Sequence, residues 1–134
     1  MAYEDWTKPM IRVRISQSDV HYAGGLVDGA KIMQFFGDAA TELLINSDGD
    51  EGLFRAYDMV EFLAPVHAGD YIEVYGKITE FGKTSRKMYF EAYKVIAPVD
   101  DAGGCDILEK PVLVAKASGT CVVPQERQRK VRKV

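Results

Sequence analysis

The segment DGAKIMQFFGDAATELLIN, residues 28–46, decides how the rest of the chain must be arranged. Ile32, Phe36, Ala39 and Leu43 recur at spacings of three and four, with Met33, Ala40 and Leu44 beside them. That is the apolar stripe of an amphipathic helix. Asp28 suits the cap position before the first turn, and Ser47-Asp48-Gly49-Asp50-Glu51-Gly52 supplies turn chemistry after the last. The spacing predicts one helix of about five turns over 28–46. A single stripe of that length must be covered, and the flanking sequence says by what.

Before the helix, Met10 to Ser16 sets Ile11, Val13 and Ile15 against Arg12, Arg14 and Ser16, the period-two alternation of a half-buried strand. Beyond Gly52, apolar and aromatic runs lie at 53–63, 71–81, 85–96 and 111–123. The joints carry Ala64-Pro65, Ala68-Gly69-Asp70, Gly82 and Asp100-Asp101-Ala102-Gly103-Gly104. Four more strands are predicted, and short joints imply antiparallel neighbours. One long helix covered by a five-stranded antiparallel sheet is an α+β layout. A single curved sheet leaves edge strands and a second helix face bare, so self-association is expected.

Composition bounds the function. With 134 residues, 47% hydrophobic, the chain can bury a core but not two ordinary ones, and residues 1–126 are read as one domain. No apolar run approaches the roughly 18 residues of a membrane span, and the first residues lack a secretory pattern. Cys105 and Cys121 form no CxxC, and no His pattern accompanies them, so neither a metal site nor a disulfide framework is suggested. A reducing cytoplasm is the expected compartment. Arg127, Arg129, Lys130, Arg132 and Lys133 gather in residues 127–134 without an acid. Removing those five from the 17 basic groups leaves 12 against 20 acids in residues 1–126. An acidic body argues against nucleic acid; the short basic tail could meet phosphates of a small ligand or remain solvated, and a frayed, solvated tail is expected.

Four places offer chemistry. Glu61 shares strand parity with Met59 and Leu63, where a buried carboxylate would serve as a base and an edge position would merely wet it. Asp38 and Glu42 stand one turn apart on the helix face opposite the stripe, which is a solvated face unless a subunit boundary covers it. His21-Tyr22 precedes Gly24-Gly25 at the helix approach, where glycines let backbone N–H groups near the positive end of the helix meet an oxyanion. Lys83, Thr84, Ser85 and Arg86 form a turn with hydroxyls and cations that suits phosphate, or simply a charged turn.

Together these segments resemble the hotdog-fold enzymes acting on coenzyme A thioesters. The carriers are His21-Tyr22-Ala23-Gly24-Gly25, then Val60-Glu61-Phe62-Leu63-Ala64-Pro65-Val66-His67-Ala68-Gly69-Asp70, then Gly82-Lys83-Thr84-Ser85. The similarity runs from about Ile11 to Val123. Against thioesterases of that family, the mid-helix acid aligns with Gly37 and the loop Asn with His21. Phe36-Gly37-Asp38-Ala39-Ala40-Thr41-Glu42-Leu43 with Val60-Glu61-Phe62 instead resembles the β-aminoacyl-CoA ammonia-lyases. That resemblance implies a hotdog fold and reversible elimination of ammonia from L-3-aminobutyryl-CoA to crotonyl-CoA, as in lysine fermentation. It implies no metal or prosthetic group, and a homodimer or a trimer of dimers with sites at the subunit boundary. Glu61 is then expected as base and Asp38 as holder of the ammonium, with Glu42, His21 and Tyr22 beside them. Gly29, then Gly25, are the expected oxyanion donors, and Lys83, Thr84, Ser85 and Arg86 the CoA contacts. A thioesterase, an enoyl-CoA hydratase and a non-catalytic acyl-CoA-binding dimer are the rival readings.

Overall fold

The computed structural model describes residues 8–131. In chain order these form β1 (Ile11–Arg14), β2 (Val20–Tyr22), β3 (Leu26–Val27), α1 (Gly29–Asp48), β4 (Leu53–Phe62), β5 (Val66–His67), β6 (Tyr71–Phe81), β7 (Ser85–Pro98) and β8 (Cys105–Val122). The predicted stripe is the buried face of α1: Ile32, Phe36, Ala39, Leu43 and Leu44 all belong to the core. The helix runs past the expected end at Asn46, because Ser47 and Asp48 are fully buried and Arg86 fixes the Asp48 carboxylate. Gly49 then closes it in the left-handed region at φ 71°, donating its N–H to Ile45 O at 2.9 Å. Asp28 does occupy the cap position, but its side chain makes no capping hydrogen bond.

Five strands form one antiparallel sheet in the order β1-β6-β7-β8-β4. The runs expected at 71–81 and 85–96 pair as sequence neighbours, and β8 begins at Cys105, ahead of the expected Pro111, extending the hairpin with β7. One expectation fails. β4 does not neighbour β6 although only residues 63–70 separate them; it pairs with β8 at the far edge. The joint is not a hairpin, because it contains β5, which pairs with β3 in a second sheet of order β2-β3-β5. Strands of two or three residues are too short to show alternation, so this sheet left no readable period.

The core lies between α1 and the large sheet. Ile72, Val74, Met88, Phe90 and Ala92 point at the helix, and Phe36 stacks on Phe90 with ring centroids 5.4 Å apart. Each of these side chains larger than Ala92 contributes about 1.5–3 kcal/mol on burial. The described part of the basic tail does not fray: Arg129 and Lys130 donate backbone N–H groups to Asp48 O, and Arg127 pairs with Asp50 at 2.8 Å. Cations and donors here meet the negative end of α1. Arg132 and Lys133 lie outside the described residues. No helix among the described residues is long and apolar enough to cross a membrane.

Candidate functional site

The first turn of α1 opens onto a cleft of about 340 Å³. Its walls come from Val27 and Gly29 at the helix approach, Ile32 on the helix, Phe62 at the end of β4, and Val66 and Val114 behind them. Amides of a first turn have no partner inside the helix, so Gly29 brings a free donor to this space. Gly29 also has to be glycine for packing: a Cβ there would stand 2.4 Å from Phe62 Cζ. Among the lining residues Asp28 alone carries a polar side chain, and the rest are apolar or glycine.

A buried ion pair fixes the far wall. The Asp70 carboxylate, 2% exposed, accepts the His67 N–H at 2.8 Å and lies 3.1 Å from Lys94 Nζ, which also donates to Pro65 O. Gly69 takes φ 92° to turn the chain there. The Pro-Val-x-x-Gly-Asp stretch is therefore fastened to Lys94 of β7 behind the cleft, while β5 pairs with β3.

The other expected residues divide. His21 and Tyr22 are exposed and meet edge-to-face, with ring centroids 4.7 Å apart, outside the cleft lining. Gly25 does not line the cleft either. It turns the chain at φ 77°, and its carbonyl accepts the Ala68 N–H. Asp38 and Glu42 lie exposed on α1, and Asp38 stands about 14 Å along the axis from Gly29 at 1.5 Å per residue.

Glu61 is exposed, not buried. β4 is an edge strand, and residues opposite one another across a sheet share a face. Glu61 pairs with Lys116, Lys116 with Glu91, and Glu91 with Tyr75. This row stands on the face away from α1, so in one chain Glu61 and the Gly29 amide lie on opposite sides of β4. Glu91, 1% exposed, accepts hydrogen bonds from Tyr89 and Tyr93 at 2.8 and 2.7 Å. Burial, then the Glu73 hydrogen bond, push the Tyr75 phenol up to about 12.

Arg86 is a correction as well. It is 1% exposed, and it donates from Nε and Nη2 to Asp48 and from Nη1 to the carbonyls of Gly82 and Ser85. No donor of that set is turned to the surface, so it does not contact CoA. Lys83 is exposed and Thr84 and Ser85 half-buried, in a turn closed by Gly82 N–H to Ser85 O. This turn sits by Asp48, about 28 Å along α1 from Gly29.

Comparison with known proteins now bears on this geometry. The thioesterase superfamily model matches residues 24–95. Over 125 residues the chain is 66% identical to the 3-aminobutyryl-CoA ammonia lyase of Acetoanaerobium sticklandii, covering 92% of this chain and 99% of that one. The chain belongs to the acyl-CoA ammonia lyases of the thioesterase superfamily. Of the solved ammonia lyases, the β-alanyl-CoA:ammonia lyase of Clostridium propionicum superposes with a TM-score of 0.89 at 38% identity, over 91% of this chain and 88% of that one. A hexameric hotdog fold thioesterase of Campylobacter jejuni, 23% identical with a TM-score of 0.75 over 98% and 92%, shares the fold. As an ammonia lyase the chain is a carbon–nitrogen lyase on a hotdog fold. The helix-start cleft brings an amide donor and apolar walls together, whereas Gly37 carries no acid.

Proposed function

We propose that the protein reversibly eliminates ammonia from L-3-aminobutyryl-CoA to give crotonyl-CoA, as a step of lysine fermentation in the cytoplasm. The reading is supported above all by the helix-start cleft, which sets an unpaired Gly29 amide among aliphatic walls, in a chain 66% identical to a lyase named for that substrate. The thioester oxygen faces the amide, and charge developing there as the Cα proton leaves is stabilised by the donor and the helix dipole. A carboxylate takes the proton. The Cα–H electrons form the double bond, and the Cβ–N pair leaves with the nitrogen, which departs as ammonia because it entered as an ammonium. The proton on the base then returns the product as ammonium, so atoms and charge balance. Activation comes from the substrate's own thioester, and the scheme calls on no metal or prosthetic group.

The resemblance implies Glu61 as the base; it stands on the outer face beside the Phe62 end of β4, and a second copy of the chain paired on that edge borders both Glu61 and the cleft. β4 is a free edge with Leu53, Phe62 and, just beyond it, Leu63 exposed at 70, 54 and 47%. Such an edge seeks a partner strand. Phe62 lies over Gly29, while Leu53 shares a row with Val122 and Ser85, at the opposite end of the sheet. Two-fold pairing of β4 edges runs the strands antiparallel, so it brings one copy's Lys83-Thr84-Ser85 turn toward the other's cleft. It also sets the exposed faces of the two helices, with Asp38 and Glu42, against each other. His21 and Tyr22 border the entrance in this dimer, and three dimers make the larger assembly.

The test is incubation of pure protein with crotonyl-CoA and ammonium. An aminoacyl-CoA adduct that forms only with ammonium supports the lyase. Free thiol, or a 3-hydroxyacyl-CoA made without ammonium, would replace it with a thioesterase or hydratase, and no change at all would leave an acyl-CoA binder. A monomer by sedimentation would remove the shared site.

A further inference from the structure

We infer that Asp28 holds the β-ammonium of the substrate, the role first expected of Asp38. The inference rests on the lyase reading above. A helix beginning with Asp normally turns that carboxylate back onto its own first-turn amides. Here it does not: no capping hydrogen bond forms, and the side chain has no hydrogen-bond or ion-pair partner among the described residues. Asp28 is half-buried and lines the same cleft as Gly29, in which every other lining side chain is apolar or absent. An apolar cleft with one uncommitted carboxylate selects for a cation on an otherwise apolar acyl group.

The spacing suits a β-amino thioester. Only three bonds separate the carbonyl carbon from the β-nitrogen, and Asp28 and Gly29 are adjacent, so one helix start receives both the oxygen and the ammonium. Asp38 stands more than two turns further along the helix and does not line this cleft. A carboxylate that accepts hydrogen bonds from the ammonium without taking its proton keeps the nitrogen a good leaving group. The ammonium also offsets the negative charge that Asp28 would otherwise set beside the developing oxyanion. Asp28 therefore discriminates aminoacyl from plain acyl thioesters.

The experiment compares wild type with Asp28→Asn and Asp28→Ser, both residues that can cap a helix. Steady-state kinetics with 3-aminobutyryl-CoA are set beside equilibrium binding of crotonyl-CoA, which has no cation. The expected result is a KM for 3-aminobutyryl-CoA raised at least tenfold in both variants, with crotonyl-CoA affinity within twofold of wild type and unchanged helical circular dichroism. Unchanged KM would overturn the assignment. Equal loss of both affinities would overturn it too, because that marks a merely structural helix start. A wild-type chain that binds crotonyl-CoA but never adds ammonia would instead defeat the lyase reading itself, and this inference with it.

Discussion

Neutralising Asp48 tests the claim that Arg86 is a structural clamp and not a CoA contact. Asp48 and Arg86 are 0 and 1% exposed and meet through two hydrogen bonds of 3.0 and 2.8 Å, with Ser47 Oγ adding a third to the same carboxylate. Asp48→Asn keeps the shape but leaves a guanidinium buried without its counter-charge. Breaking a buried pair in this way costs about 3–5 kcal/mol. For a chain of this length that corresponds to a fall in Tm of roughly 10–20 °C. The double variant Asp48→Leu with Arg86→Met removes both charges together and should recover more than half of the loss, since apolar replacement of a whole buried pair is often nearly neutral. Thermal melts at one fixed protein concentration measure this, because self-association would otherwise move Tm. Crotonyl-CoA affinity of the double variant should stay within twofold of wild type. An Asp48→Asn loss below about 1 kcal/mol, or a tenfold loss of affinity in the double variant, would refute the reasoning.

Glu61→Gln should lower elimination by about 100-fold or more, the usual range for a missing general base, while crotonyl-CoA still binds; unchanged turnover takes Glu61 out of the mechanism. In Gly29→Ala the new Cβ must push Phe62 aside. Calorimetry should show weaker crotonyl-CoA binding, largely restored when Phe62→Ala is added. Lys94→Met strands the buried Asp70 carboxylate and should cost about 3 kcal/mol or more in a denaturant melt, with the cleft lost alongside stability. Burial pushes the Cys121 thiol from 9.0 up to about 12. The unfolded thiol loses its proton above its ordinary value while the folded one keeps it, so this group's contribution to stability is whole below pH 9 and drains away as pH rises toward about 12. A thiol reagent at neutral pH should accordingly titrate exposed Cys105 quickly and Cys121 only after unfolding.

The α1 stripe and the runs at 71–81 and 85–96 were legible because each is long and repeats at one period. Ile32, Phe36, Ala39 and Leu43 had to face a core whatever else surrounded them. What escaped reading was set by contacts distant in sequence. The helix continues to Asp48 because Arg86 reaches it from β7, overriding the turn chemistry of Ser47 to Gly52. β4 lies beside β8 because its following joint is occupied by β5, and two residues of strand carry no pattern. The described part of the tail is anchored because Asp48 O and Asp50 happen to stand where Arg127, Arg129 and Lys130 pass. No local propensity announces such a meeting.

The site was harder for a different reason. Parity put Glu61 on one face with Met59 and Leu63 and left a buried carboxylate and a wetted edge position open; the edge position holds, because β4 lies at the sheet edge and that face is the outer one. Its apolar character comes from tyrosines, whose rings pack beside Glu91 while their hydroxyls satisfy it. Alternation tells which residues share a face, and it is silent on which face meets the helix. The same limit explains why Glu61, Asp38 and the 83–85 turn do not converge in one chain, although the resemblance gathers them. Leu53 and Phe62 mark the two ends of one free edge, one by the phosphate-suited turn and the other by the Gly29 cleft. If each chain supplies both ends to different sites, the distance of about 28 Å along α1 ceases to separate the parts. A heterodimer of Lys83→Glu and Gly29→Ala chains then tests the sharing directly. With sites shared across the edge, co-expressed mixtures of these two impaired chains regain activity in one of the two sites, whereas sites contained in single chains stay impaired in every mixture.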